Sequence, residues 1–292
     1  MASKITLVES AYGLKASLES EWTPDTAAYL ASYNVVELEL NVAKGWTERA
    51  GISFLSELTF LKSFELFNFG IKDISPIHAL GNLRRLGITT YCSSTIDFSK
   101  FPFLESCSLE WRPKATSLFD CTTLRELFVN RYKGKDTRAF SNLVNLESLQ
   151  LLNAPVTNLR GLRTLARLRE LRLARLTQLM SLEGIEVLTA LENLTVSTCR
   201  KITSVEKIEP LTNLRNLDLD NDGDIASLRP LERLNELERI GFDTSTNILD
   251  GDMTVLIGLP KLKRVAFQNR KHYTHTREEL NAIFAKRNGA GK

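Results

Sequence analysis

The chain has 292 residues, 43% of them hydrophobic and 25% charged, with a net charge of +3. That is enough apolar side chain for a continuous core and too little overall charge to name a partner. No run of 18 apolar residues occurs, and no apolar stretch at the N-terminus precedes a small-residue cleavage site, so neither a membrane span nor a leader is expected. Cys92, Cys107, Cys121 and Cys199 lack the spacing of disulfide-bonded terminal caps, which favours a reducing compartment, and a cytoplasmic location is expected.

Residues 1–34 precede any regular pattern. Residues 5–8 read as a strand, and Thr23-Pro24-Asp25 ahead of Tyr29 and Leu30 reads as the start of a short helix with Pro in its first turn. Val35, Leu38 and Leu40 form a degenerate first repeat. An irregular insert over residues 41–53, with Lys44, Gly45, Trp46, Thr47 and Glu48, lengthens that coil. A leucine ladder then takes over. Its anchors are Leu61, Leu83, Leu104, Leu124, Leu146, Leu168, Leu191, Leu214, Leu237 and Leu262, separated by 22, 21, 20, 22, 22, 23, 23, 23 and 25 residues. A unit of this size cannot bury its apolar face alone, so the period means stacked coils.

Each anchor opens L-x-x-L-x-L, clearest in Leu146-Glu147-Ser148-Leu149-Gln150-Leu151. The alternation predicts a short strand with Leu149 and Leu151 on one face and Ser148, Gln150 and Leu152 on the other. After Asn153-Ala154-Pro155 the spacing becomes three, through Val156, Leu159, Leu162 and Leu165, which matches a 3₁₀ return segment better than a long α-helix. Pro76, Pro210 and Pro230 fall at equivalent places, where no long helix needs their missing N–H. At the far end Val265 and Phe267 complete the last strand. Thr276 and Glu279 then form a capping box for a helix that presents Leu280, Ile283 and Phe284 on one face, ahead of a frayed tail from Asn288 to Lys292. The expected fold is an α/β solenoid with a single parallel sheet on its concave face and short 3₁₀, helical or extended segments on its convex face. Residues 1–34 would form an N-terminal cap, 35–269 ten to eleven repeats, and 270–292 a C-terminal cap helix and tail.

Strand anchors at this spacing resemble the leucine-rich repeat superfamily over residues 35–269. The 22-residue unit is similar to the class found in phosphatase-regulator scaffolds and bacterial internalins. The resemblance implies fold far more than function. One departure is plain: the family's ninth-position asparagine, which bonds the corner backbone, is replaced by Phe69, Tyr91, Arg112, Tyr132, Ala154, Leu176, Cys199, Asp222 and Ser245. Corners satisfied by other means, and a less regular solenoid, are expected.

Nothing in the chain points to catalysis. His272 and His275 lie three apart but lack the further ligands of a zinc site, and read as ordinary residues of the loop before the last helix. Asp218, Asp220 and Asp222 with Gly223 look like the opening of a calcium loop, yet Arg229 stands where that loop needs its last glutamate. Phosphate-binding glycine loops, a nucleophile elbow and the paired-histidine zinc motif are missing from the sequence. No enzyme, metal or cofactor is expected.

The expected interaction surface is the outward side of the strands. Phe67, Phe128 and Leu152 are apolar where the alternation faces out, Glu110 and Trp111 stand at a strand exit, and Arg131, Arg172 and Arg175 join them. Asp218, Asp220 and Asp243 form an acidic alternative. Charge segregates along the chain: residues 131–175 hold ten basic and three acidic residues, and residues 216–252 hold three basic and ten acidic. Such polarity orients and accelerates capture of a charged partner. The reading is a non-catalytic protein-recognition solenoid, monomeric when unbound, that neutralises a toxin or enzyme as a bacterial immunity protein or inhibitor. The alternatives are a regulatory scaffold and a secreted effector. No membrane partner is expected, and the acidic zone argues against nucleic acid.

Overall fold

All ten ladder leucines, from Leu61 to Leu262, are fully buried, which makes the period of the sequence the period of the structure. Each contributes about 1.5–3 kcal/mol relative to an exposed side chain. The structure is a computed structural model that describes residues 3–47 and 51–289, without the side chains of 288 and 289. Residues 48–50 of the insert and residues 290–292 of the tail lie outside the described residues. The chain divides into two compact units, Met1–Val129 and Asn130–Lys292.

The first unit opens with a hairpin, β1 (Ile5–Glu9) antiparallel to β2 (Leu14–Leu18). Helix α1 (Pro24–Ser32) follows, with Pro24 in its first turn and the Thr23 N–H bonded to the Thr26 hydroxyl. β3 (Val35–Asn41) pairs with β2 in parallel, and β4 (Ser63–Phe67), β5 (Arg85–Thr89), β6 (Ser106–Glu110) and β7 (Glu126–Asn130) follow in chain order. Leu38, Phe64, Leu86 and Cys107 stand in register on the inward face.

The second unit runs β8 (Ser148–Leu152), β9 (Glu170–Ala174), β10 (Asn193–Ser197) and β11 (Asn216–Asp220), all parallel. A two-residue strand, β12 (Asp224–Ile225), leads to β13 (Arg239–Phe242), which continues the sheet, and to β14 (Asn247–Ile248), which pairs with β12 apart from it. Helix α2 (Thr254–Gly258) precedes β15 (Arg264–Phe267), and α3 (Arg277–Gly289) ends the described chain. Leu149, Leu171, Leu194, Leu217, Ile240 and Val265 form one inward row. The edge of β15 is not left bare: the Asn281 amide of α3 accepts from the Val265 N–H and donates to its carbonyl, both at 3.0 Å.

Return segments carry the spacing of three as a hydrogen-bond series. The Leu162, Leu165 and Leu168 N–H groups bond the Leu159, Leu162 and Leu165 carbonyls at 2.9, 2.9 and 3.0 Å. Coils approach so closely here that a Cβ on Gly161 would lie 2.0 Å from the Thr137 carbonyl oxygen. Both units are thus solenoids of the leucine-rich repeat type, with mostly parallel strands and short helical returns.

The corners replace the absent asparagines in several ways. Asn68, one position early, accepts from the Gly70 and Ile71 N–H groups at 2.6 and 2.9 Å. The buried Arg112 guanidinium donates to the Cys92 and Thr90 carbonyls at 3.1 and 3.3 Å. In the second unit Arg131, Asn153, Arg175, Thr198 and Asn221 adopt left-handed φ values of 52–60°. Their N–H groups thereby reach a carbonyl of the next coil at 2.8–3.3 Å. A left-handed backbone costs a residue other than glycine about 1–2 kcal/mol, and the extra rung of hydrogen bonds offsets it.

Candidate protein-recognition surfaces

On the strand face of the first unit, the outward residues largely satisfy one another. Lys15 Nζ bridges Glu39 and Glu65 at 3.2 and 2.8 Å, Lys44 joins Glu39 at 2.9 Å, and Arg85 Nε reaches Glu65 at 3.2 Å. Burial pushes the Glu39 carboxyl up, but hydrogen bonds from Lys44, Asn41 and Lys15 outweigh it and bring the group down to about 2. Glu37 accepts from the Tyr12 N–H at 2.8 Å. These carboxylates are engaged already and offer little to a partner.

Beside that network stands an aromatic group that the alternation only half reveals. Phe67 is half-buried and meets Phe69 edge-on with ring centroids 5.0 Å apart, and Phe69 meets Tyr91 at 4.6 Å. Phe69 and Tyr91 are exposed, at 44% and 61%. Both sit at the ninth position, where leucine-rich repeats bury asparagine. Their size at that position was the available signal. Trp111 is half-buried and packs against buried Phe119 at 5.4 Å, while Glu110 and Phe128 are half-buried on their strands. Within this unit the expected residues thus include Phe67, in contact with Phe69 and through it with Tyr91, and Trp111, in contact with Phe119.

In the second unit Gln150, Arg172, Thr195 and Asp218 form one outward row across β8 to β11, and Leu152, Ala174, Ser197 and Asp220 form the next. Several arginines of the basic segment pair locally, Arg160 with Glu183 at 2.9 Å, Arg163 with Glu186 at 2.6 Å and Arg169 with Glu192 at 3.0 Å. Arg172 and Arg175 are exposed and make no salt bridge among the described residues. Arg131 is exposed at the β7 exit, and Leu152 is half-buried.

The acidic end is more structural than its charge suggests. Asp218 lies against Gly241, where an added Cβ would meet its Oδ1 at 2.7 Å. Burial, then the charge of Asp220, raises its pKa, and Arg239 opposes the rise. Asp220 accepts from the Asp243 N–H at 3.1 Å, and Asp243 accepts from the Thr244 N–H at 2.7 Å. Asp222 is wholly buried, with Oδ1 bonded to the Cys199 N–H at 2.6 Å. His272 Nε2 lies 3.0 Å from the Ile248 carbonyl. Among the described residues no group of three or more His, Cys, Asp or Glu side chains could hold a metal ion, and no helix is long and apolar enough to cross a membrane.

No protein-family model and no curated protein matches the chain. Solved structures do match. An internalin, inlF, from Listeria monocytogenes is 23% identical, with 87% of this chain and 79% of that one covered at a TM-score of 0.57. A leucine-rich repeat protein of Leptospira interrogans is 19% identical, with 81% and 62% covered at 0.67. The functional domain of InlJ from Listeria monocytogenes, which includes a cysteine ladder, is 20% identical, with 80% and 53% covered at 0.57. This chain thus spans 62% and 53% of the last two.

These matches correct the cytoplasmic location expected from the cysteines, because internalins are secreted or surface proteins of bacteria. The physical reason is that unpaired thiols here report packing rather than compartment. Cys107 and Cys199 are buried, and desolvation pushes the Cys199 thiol up to about 12, where little reactive thiolate forms. Below 25% identity the likeness is one of fold: this chain resembles bacterial leucine-rich repeat solenoids of the internalin type, a fold typical of protein–protein interaction modules.

Proposed function

We propose that this chain is a non-catalytic recognition module that captures a protein partner on the strand face of Asn130–Lys292, and that its role is to neutralise a bacterial toxin or enzyme. The observation that carries the reading is Arg172. It stands exposed in the middle of a row of short polar neighbours and without a carboxylate partner among the described residues, while arginines nearby are paired. An unpaired guanidinium on a rigid strand is pre-organised for a partner carboxylate, and half-buried Leu152 on the adjoining strand supplies apolar contact.

The test is co-purification with the product of the adjacent gene, coupled to an assay of that product's activity. Wild type should bind and inhibit. The Arg172→Glu/Leu152→Asp double variant, with unchanged circular dichroism, should lose binding by about a hundredfold, equivalent to about 2.7 kcal/mol. Undiminished capture by a folded double variant would remove the strand face from the reading. Capture without inhibition would keep the face and replace the inhibitor role with that of a scaffold.

A further inference from the structure

Where the strands of the second unit turn into their corners, a shallow groove of about 510 Å³ is lined by Lys133, Asn153, Arg175, Gln178 and Thr198 among others. It lies on the edge of the sheet, and none of its residues belongs to the outward rows of the strands. Lys133 and Arg175 are exposed and make no salt bridge among the described residues. Two more cations extend the stripe. Lys201 Nζ is held 2.8 Å from Gln178 Oε1. Arg200 Nη2 is 3.3 Å from Asn221 Oδ1, and the Asn221 amide in turn reaches Thr198 Oγ1 at 3.2 Å. Side-chain amides, not carboxylates, thus position the cations, and their charge is left uncompensated.

The backbone fixes this arrangement. Arg175 and Thr198 have φ values of 57° and 60°, a conformation that side chains other than glycine and asparagine adopt at a cost. That geometry fixes the direction in which the Arg175 Cα–Cβ bond leaves the corner. With coils about 4.8 Å apart, Lys133 and Arg200 are three coils and about 14 Å from each other, the span of about four residues of extended chain. Beyond Arg200 the edge changes sign: Asp224 and Asp243 are exposed on the next two coils and Asp220 is half-buried.

We infer that this edge groove is a docking site for an extended protein segment that is acidic over about four residues and then turns neutral or basic. The bounded length decides against a uniform polyanion, since a nucleic acid or sulfated glycan long enough to continue would run its charge onto the aspartates. No aromatic side chain lines the groove, so it offers no platform for stacked bases. The threonine, asparagine and glutamine side chains supply donors and acceptors suited to peptide groups and carboxylates. The site goes beyond the strand-face reading and does not depend on it.

The probe is a fluorescent peptide of about four glutamates followed by neutral residues and lysines, titrated by anisotropy into the full chain at about 0.05 M salt. A heparin fragment, single-stranded thymidine DNA and a neutral peptide of equal length serve as competitors. The acidic–basic peptide should bind, and the Lys133→Glu/Arg175→Glu variant should weaken it by about tenfold or more. Arg233→Glu, on an exposed return segment, should leave it within twofold. No binding above that of the neutral peptide, or equal binding by the double variant, overturns the inference. Tighter binding of heparin or DNA with the same dependence on Lys133 and Arg175 also overturns it, in favour of a general polyanion site. The titration needs no natural partner, so it can fail while strand-face capture stands, and the reverse.

Discussion

Asp222 occupies the position that most leucine-rich repeats give to asparagine, and it does half of that residue's work. Its Oδ1 accepts from the Cys199 N–H, and its own N–H bonds the Thr246 hydroxyl at 3.0 Å, which in turn donates to the Leu219 carbonyl at 2.5 Å. Its Oδ2 is buried with no partner. Burial is the main reason that the carboxyl rises from 3.8 to about 7. The Cys199 N–H pulls it back and the charge of Asp220 adds to the rise. The folded state therefore holds this proton more tightly than the unfolded chain. Below pH 3.8 both states are protonated and nothing is lost. As pH climbs from there to about 7 the unfolded chain ionises first, and stability falls until the folded group ionises too. Asp222→Asn has no proton to lose and keeps a carbonyl oxygen to accept from the Cys199 N–H. It should stabilise the protein by about 2–4 kcal/mol at pH 8, and by much less near pH 4.5, in urea denaturation. A gain of equal size at both pH values would mean that the carboxyl is not the source.

Between neighbouring elements the tightest constraint is the approach of one return segment to the next. Gly161 has an ordinary backbone, yet a Cβ there would collide with the Thr137 carbonyl, a backbone atom that cannot rotate away, while the Gly161 N–H is held by Thr137 Oγ1 at 3.0 Å. Gly161→Ala should therefore cost about 1–3 kcal/mol by thermal or chemical denaturation, although alanine normally favours folding over glycine. A neutral or stabilising result would show that the coils can slide apart.

Such contacts mark the limit of what was legible in the sequence. The leucines announced the strands, and the spacing of three announced the 3₁₀ returns, because both are periodic consequences of burial. Strand β2 was missed because Leu14-Lys15-Ala16-Ser17-Leu18 buries its last three residues together and shows little alternation. The β12–β14 pair was missed because two residues have no period at all. Asn68, Arg112 and the Asp222–Thr246 pair rebuilt the corners with different chemistry in each coil, so no recurring residue type signalled them. Among the candidate site residues, Arg172 was legible from alternation alone. Phe69 and Tyr91 were legible as misfits in a buried position, but their exposure was not.

For the whole molecule, the charge count overstates the field. Residues 131–175 carry a surplus of seven positive charges, yet Arg138, Arg160, Arg163 and Arg169 each lie 2.6–3.0 Å from a carboxylate of Asp136, Glu183, Glu186 or Glu192. Exposed pairs of this kind add at most about 1 kcal/mol to stability, but each cancels its own field within a few ångströms. The attraction that a distant acidic partner would feel therefore comes chiefly from Lys133, Lys135, Arg167, Arg172 and Arg175, none of which has such a partner among the described residues. Steering acts on association and is screened over about 10 Å at 0.1 M salt. Stopped-flow mixing with the captured partner should accordingly show that Arg172→Gln slows association about threefold or more at low salt and little at about 0.5 M salt. Arg160→Gln should change it little at either salt, even though both variants remove one unit charge. Equal slowing by the two would mean that the summed charge of the segment governs capture, and that local pairing with Glu183 is irrelevant to it.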